Sequence, residues 1–586
     1  MRRPFLHALS GLLVFAAVSL SGQSVDPEFV RDAIGLKSYP SAPHLAQQAK
    51  IAPAATLPAA TVAVPEELDA IRVWNDANRL PFRNGFARRI ADPLSVQLGG
   101  GIAAAKEGVA AHARGVMAAS ARGIVWSGIL RVEGAHRVRV RLSNVKVPAG
   151  TVFWAYGSAE EPVAFGPELI DPNGDLWTPS VAGDLVHLEV ETNGPASFEI
   201  REVMEIVAAE KATRLKPVAN DEPACLLDVN CINNSTAGGL DTMRRAIAQL
   251  TFVKDGGNYV CSGGLLNDSD TATSVPYLLT ANHCFSTQSS ASSLEATWDF
   301  RYNNCETSAI SAGTRTVGST LLATSANSDF TFVRMTSVPS GRVLLGWNAN
   351  TAAIPNGTSL YRISHPAPEG YGPQPQLYSR TVVNTSFGTC SARPRDRYIY
   401  TTGGEGGVYG GSSGSPVFIT GGQVVGQLFG SCGPDPEAGC DPRNATVDGA
   451  FSATYGSISQ YLSGGSPIQP EPCVPSATQV CLNSNRFAVK VAWRTRDGQS
   501  GSGQAIKYTA DSALFWFFSS TNIEMLVKVL DGCGVNNRYW VFGAASTDVE
   551  YTLTVTDSRN GAVRTYVNPQ GTLAAAIAQT GAFACQ

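Results

Sequence analysis

At 586 residues the chain is longer than one ordinary domain, and its length predicts roughly three or four. A net charge of −4 and a pI near 6.0 leave no basic face for nucleic acid. Hydrophobic residues at 44% support buried cores, while 58 Gly and 34 Pro favour many short strands and turns over long helices.

The N-terminus reads as a targeting segment. Arg2 and Arg3 precede an apolar run from Ala8 to Leu20 that ends among the small residues Ser19, Ser21 and Gly22. That pattern predicts a signal peptide over 1–22, too short to span a membrane comfortably. No later run approaches ~20 uninterrupted apolar residues, so the mature protein is expected to be secreted, without a membrane span. Export bears on the 12 cysteines, an even number that all fall between Cys225 and Cys585. No Cys-x-x-Cys pair occurs, and Cys432…Cys440 has no histidine nearby, so disulfides are expected rather than a metal site.

Residues 25–66 are rich in Ala and Pro and read as a loosely ordered lead-in, with a short helical pattern from Glu66 to Leu80. Alternating segments follow from Gly123 to about Val207, among them Val138–Leu142, Thr151–Tyr156 and Leu185–Val190. They predict a β-sandwich over about 120–208. The cluster Asp171–Asp175 lacks the further ligands of a calcium loop and reads as a turn. This block has no cysteine, which marks 23–216 as a propeptide. The second block, 217–463, opens on Cys225 and Cys231, has a helical pattern around Met243–Leu250, then strands Gln249–Val253, Val260–Leu266 and Tyr277–Thr280. Pro467, Pro470 and Pro472 mark a linker over 464–472. The last block, 473–586, alternates again (Phe487–Trp493, Ile523–Leu530, Tyr539–Phe542, Val549–Thr556) and predicts a second β-sandwich. Its aromatic run Leu514–Phe518 reads as sandwich core.

The chemistry concentrates in the middle block. Tyr409–Pro416 (Tyr-Gly-Gly-Ser-Ser-Gly-Ser-Pro) packs small residues before the strand-like Val417–Ile419. Such a turn exposes a hydroxyl and frees backbone N–H groups, as a serine nucleophile and its oxyanion require. Only two histidines, His283 and His365, lie in this block. His283 ends an apolar strand beside Cys284, a rigid setting for a general base, whereas His365 precedes Pro366 in a Pro/Gly-rich loop. An acid to orient the imidazole is available as Asp329, entering an alternating strand, with Asp299 as its rival. Gly410–Gly414 formally matches Gly-x-Ser-x-Gly and nominates Ser412. That fold needs the order Ser, acid, His, and no histidine follows position 365. The order His283, Asp329, Ser413 fits the chymotrypsin arrangement.

Thr280–Cys284, Ser328–Thr331 and Gly411–Pro416 together resemble the three signatures of trypsin-like serine peptidases, in particular the bacterial lysyl-endopeptidase-type branch made as secreted precursors. The resemblance covers about 217–463 and implies a mainly β architecture, a chymotrypsin-like double barrel, flanked here by the two sandwiches. It implies Ser413 as nucleophile, His283 as base and then acid, Asp329 as its orienting carboxylate, and the N–H groups of Gly411 and Ser413 as oxyanion hole. It further implies Cys261–Cys284 and Cys231–Cys305, with Cys225 reaching to Cys440 or Cys432 and Cys390 taking the other. Cys473–Cys481 and Cys533–Cys585 are expected from their segregation in the last block. Cleavage after Lys or Arg is the specificity implied, with another residue preference as the alternative. The chain departs from the pattern here: Gly407 stands where trypsin has its pocket aspartate, and Phe429 where the lysyl branch has a histidine. No tryptophan occurs between Trp347 and Trp493, and Asp441 and Asp448 remain as candidate pocket acids. The N-terminal sandwich resembles domains ahead of other secreted bacterial peptidases, and Lys216 would suit self-processing. Protein or peptide substrates, a monomer, and no metal or organic cofactor are expected. The alternative from another class is a catalytically silent secreted binding or adhesion protein.

Overall fold

The computed structural model describes residues 24–585 except 78–79, 100–107, 159, 209–224, 271, 306, 351–353, 369–371, 391–392, 437–438, 463–472, 474, 537 and 559–561. The expected signal peptide, the segment holding Arg214 and Lys216, and the linker lie outside the described residues. Among the described residues no helix is long and apolar enough to cross a membrane.

The middle block is two β-barrels side by side. Strands Ile247–Lys254, Gly257–Leu266, Tyr277–Ala281, Glu295–Trp298, Thr314–Val317, Ser319–Ser325 and Phe330–Met335 build the first. Gly257–Leu266 is buried at every position, which is why it reads as a continuous apolar and small-residue run rather than an alternation. The second barrel uses Ser359–Ser364, Leu377–Val383, Tyr398–Glu405, Pro416–Phe418, Gln423–Cys432 and Ala445–Ala450. It closes on itself where Gln423–Cys432 pairs with Ala445–Ala450. Helix Phe451–Leu462 returns over the seam and lays Phe451 and Tyr455 on the buried Trp347, with ring centroids 5.7 and 5.0 Å away. The helical pattern around 243–250 is a single turn, Leu240–Met243, running through a 3₁₀ turn into the strand that starts at Ile247.

The N-terminal block is a β-sandwich, but one of its sheets does not stop at the block's edge. Strand Phe82–Leu98 pairs with Ala196–Ile206 along most of its length. Its first residues, Phe82–Phe86, pair with Gly257–Val260 of the first barrel, so one 12-stranded sheet runs through both blocks. The sandwich therefore begins well before residue 120. The reason it was hidden is Arg88, which occupies a buried position of the alternation where its guanidinium pairs with the buried Glu205 at 2.5 Å. The lead-in also differs from expectation. Ser24–Val25 pairs with Trp347–Asn348, and Glu28–Val30 with Arg342–Leu344, sewing residues 24–30 onto the middle block. Helix Pro65–Asp76 matches the predicted helical pattern but ends four residues earlier than Leu80.

A buried charge cluster seals the junction. Glu295, in the first barrel, accepts from the Ser180 N–H and Oγ–H, both at 3.0 Å, and from Arg315 at 2.8 Å. Arg139 of the sandwich donates to Thr178 O and across the junction to Ser293 O. Burial alone would raise the Glu295 carboxyl, but Arg315, Arg139 and Arg137 outweigh it and hold it at about 2.

The last block is a sandwich of two five-stranded sheets around one core that includes Phe487, Phe515, Val527 and Leu553. Of the aromatic run, Phe515 and Phe517 are buried while Phe518 is exposed.

Candidate active site

The three nominated residues sit where the two barrels meet. Strand Tyr277–Ala281 pairs with Phe330–Met335 so that Ala281 faces Phe330, which brings His283 and Asp329 together just past the strand ends. Cys284 is tied to Cys261 in the adjoining strand, fixing the turn that carries His283. Asp329 Oδ1 accepts the His283 backbone N–H at 2.9 Å, and its Oδ2 lies 2.7 Å from Nδ1. One carboxylate thus sets both the position and the tautomer of the imidazole, leaving Nε2 as the working edge. Asp329 adopts a left-handed backbone, φ 52°. The Gln427 side-chain amide holds that turn by donating to the Ser328 and Asp329 carbonyls at 2.7 and 3.2 Å. Asp299, the rival acid, is engaged elsewhere, bound to Arg342 at 2.5 Å.

Ser413 lies in a turn knotted by its own backbone. Ser412 N–H donates to Tyr409 O and Ser415 N–H to Ser412 O, both at 3.0 Å, while Gly414 N–H donates to Leu428 O at 2.9 Å. Gly414 has φ 78°, and a side chain there would run into Thr280 Oγ1 and the Ala281 backbone, so only glycine lets this turn approach the histidine strand. Ser412 points away from His283, its Oγ hydrogen-bonded to Ser364 at 3.1 Å. Among the described residues no hydrogen bond uses the N–H of Gly411 or of Ser413, which leaves both as donors for an oxyanion. His283 Nε2 is buried and has no hydrogen-bond partner, Ser413 Oγ included; in resting sites this contact is often long.

His365 is a different kind of histidine. It is fully buried, its ring stacked on Phe300 at 5.8 Å and its backbone N–H bound to Ser262 Oγ, which in turn donates to Gly411 O. Burial lowers its imidazole to about 4, so it is neutral at ordinary pH, and through Ser262 it braces the turn that carries Ser413.

Residues 219–445, which contain His283, Asp329 and Ser413, match the family model for the lysyl endopeptidase C-terminal domain. The middle block is thus similar to a lysyl endopeptidase domain, of the trypsin-like serine peptidase kind. Over 343 residues the chain is 24% identical to the lysyl endopeptidase of Pseudomonas aeruginosa, spanning 56% of this chain and 71% of that protein. Among solved structures it is similar to GrC, at 16% identity and TM-score 0.28, covering 37% of this chain and 94% of that one. It is likewise similar to the thermostable serine protease AL20 from an extremophilic microorganism, at 16% identity and TM-score 0.25, covering 38% and 98%.

Within this lysyl-endopeptidase-type block neither candidate pocket acid is free. Asp448 is buried against Arg362 at 2.7 Å, and the same guanidinium donates to Ser415 O and Oγ. Asp441 lines a cavity of about 320 Å³ with Gly407, Val408, Ser431, Thr401 and Thr446, but Arg443 grips both of its oxygens. Phe429 lies edge-on to His283 at 5.7 Å, and the Arg393 guanidinium covers its ring at 4.0 Å. Disulfides join Cys225–Cys440, Cys231–Cys305, Cys390–Cys432, Cys473–Cys481 and Cys533–Cys585 besides Cys261–Cys284. Among the described residues the one grouping with metal-ligand spacing is Asp531, Cys533 and Cys585, where both sulfurs are spent in the disulfide. Gln427, Arg362 and Lys254, whose Nζ donates to the His283 and Cys284 carbonyls, brace the site without belonging to any motif. Gln427 and Lys254 reach backbone oxygens, which leave no trace in sequence, and Arg362 reaches the distant Asp448 as well as Ser415.

Proposed function

We propose that the chain is a secreted serine endopeptidase acting through a His283, Asp329 and Ser413 triad. The observation that carries the reading is the Asp329 carboxylate holding both the backbone and Nδ1 of His283, with the Ser413 turn packed against the same strand. Ser413 Oγ adds to the scissile carbonyl carbon as its proton passes to His283 Nε2. The oxyanion accepts from the N–H groups of Gly411 and Ser413. Collapse breaks the C–N bond, and the imidazolium returns the proton to the departing amine. Water, deprotonated by Nε2, then releases the acid and restores the Oγ–H. The six disulfides fit an oxidising, extracellular setting. A preference for neutral side chains is favoured over Lys or Arg, because Asp441 and Asp448 are each neutralised by an arginine.

The test is cleavage-site profiling of the processed protein on a diverse peptide mixture. Ser413→Ala is expected to abolish cleavage, and Asp329→Asn to lower turnover by about 10⁴ through the wrong tautomer. Cuts after neutral residues support the pocket reading, cuts after Lys or Arg return the lysyl one, and serine-independent cuts reject the triad.

A further inference from the structure

Beyond the triad, the second barrel offers a strand edge that leads away from Ser413. On one side strand Gln423–Cys432 pairs with Ala445–Ala450 as far as Cys432. On the other it pairs with Pro416–Phe418 only up to Gln427. Leu428 then binds the Ser413 turn, its N–H donating to Ser415 O and its O accepting from Gly414 N–H, both at 2.9 Å. Among the described residues no strand continues that pairing along Phe429–Cys432. An open edge of this kind takes an extended peptide as one more strand. Ser431 lines the cavity that also holds Gly407 and Val408, where the residue giving the attacked carbonyl would place its side chain. With that side chain in the cavity and its carbonyl at Ser413, the amino-terminal side of the peptide is the part that lies along Phe429–Cys432. At ~3.3 Å per residue, that edge borders about three residues of an extended peptide.

What flanks this edge is basic. The register shifts between Leu428 and Gly430, so Phe429 stands out of the ladder and lies edge-on to His283. The Arg393 guanidinium covers the Phe429 ring at 4.0 Å and lies 5.3 Å from the ring of Tyr398. Its loop is tied to the end of the edge by Cys390–Cys432. The same loop is tightened by the N–H groups of Arg397 and Tyr398, which both donate to Pro394 O. Arg393 and Arg397 line an open cavity of about 620 Å³ together with Cys390 and Asn327. Of the acids at hand, Asp329 is spent on His283, and the exposed Asp396 reaches Arg397 only at 3.7 Å. Residues 393–397 set three arginines against that one aspartate, and the third, Arg395, is turned onto the ring of Tyr400. We propose that Arg393 and Arg397 form a subsite for a carboxylate side chain at the second to fourth residue before the scissile bond, which makes acidic peptide segments the preferred substrates. This rests on the peptidase reading of Ser413. A guanidinium already seated on Phe429, on a crosslinked loop, meets a carboxylate at little ordering cost.

The test measures kcat/KM of the processed protein, because Leu80 of the N-terminal block reaches the same edge, 3.3 Å from where a Cβ on Gly430 would stand. The peptides share one bond that the protein cuts and carry Glu, Gln or Lys at the second, third or fourth residue before it. Glu is expected to exceed Gln by about tenfold at one or more of these positions, and Lys to fall below Gln. Raising salt from about 0.05 to about 0.5 M should shrink the Glu/Gln ratio, because charges open to solvent are screened. Arg397→Gln is expected to lower that ratio severalfold, and Arg393→Gln to bring it close to one. Each ratio is taken on one protein, so a general loss of activity from disturbed packing around Phe429 does not mimic the effect. Equal rates on the Glu and Gln peptides in the wild-type protein overturn the subsite. So does a Glu preference that survives both substitutions or that salt leaves unchanged. Absence of Ser413-dependent cutting of any peptide by the folded, processed protein overturns the peptidase reading, and the subsite with it.

Discussion

The two blocks that flank the peptidase look alike in sequence and are joined to it in opposite ways. The N-terminal sandwich has no cysteine, shares a 12-stranded sheet with the first barrel and buries Arg139 and Glu295 at the junction. In the last block every described strand pairs within the block, around its own core, with two disulfides and the buried Arg486–Asp557 pair. A sheet that continues into its neighbour leaves unpaired backbone and bare apolar surface on both sides when the two are parted. A sheet closed within its block, with crosslinks in place of size, leaves neither.

The sharpest way to break this contrast is deletion. Without residues 24–208 the peptidase block is expected to yield no natively packed protein, because Gly257–Val260 loses its partner strand and Val260 and Ala367 lose their core. Without 473–586, peptide hydrolysis after processing is expected to stay within about twofold of the whole chain, since every described strand of that block pairs within it. Near-UV circular dichroism and turnover read both outcomes. Equal recovery of the two deletions would dissolve the distinction.

A smaller cut tests the same junction from inside. Glu295→Ala takes from Arg139 the buried acid facing it and leaves Arg315 with Glu160 alone, and loss of one partner of a buried ion pair costs about 3–5 kcal/mol. Arg486→Ala does the same to Asp557, yet only the last block's transition should move. Acid reaches Glu295 in a defined window. Its folded carboxyl stands at about 2, below the ordinary value of about 4.3, so its contribution is complete above that value and is lost as pH falls toward 2. Calorimetry that resolves the transitions checks both claims.

How much of this was legible in the sequence follows from which contacts are local. The His283 and Ser413 turns are short, and serine-peptidase chemistry needs those residue types in that order, so His283, Asp329 and Ser413 could be nominated; the structure sets His283 on Asp329 and packs the turn of Ser413 against the strand that leads to His283. Alternation gave four of the last block's ten strands to within a few residues, because one face of each is core and the other solvent. The strand Phe82–Leu98 was missed because Arg88 takes a core position, which is intelligible only once Glu205 is seen opposite. The strands at 24–30 were missed because two- and three-residue strands carry no periodicity of their own. Asp448 does not show in sequence that an arginine consumes it, since Arg362 lies far from it in the chain, whereas the partner of Asp441, Arg443, stands two residues away.

Histidines give the contrast a pH reading. All seven lie outside the last block. His365 is held at about 4 by burial, below its ordinary 6.5, so below 6.5 the unfolded chain binds more protons than the folded one. Peptidase stability should fall as pH drops from 6.5 toward 4, by on the order of 3 kcal/mol from this group. His365→Phe, which can keep the stack on Phe300, should flatten that slope, as judged by unfolding midpoints across pH. The last block should show no such slope in either protein.

The smallest expected effect is also the most local. Cys473–Cys481 closes a loop with a sequence separation of 8 at the start of the last block, beside strand Val480–Leu482. A loop that short restrains little of the unfolded chain, and the entropy of closing it corresponds to roughly 2–3 kcal/mol. Replacing both cysteines by serine should lower the last block's unfolding free energy by that amount and leave turnover unchanged. A loss of peptide hydrolysis in that variant would mean that the last block is coupled to the cleft, and the contrast between the two flanks would then be one of sequence position rather than of folding.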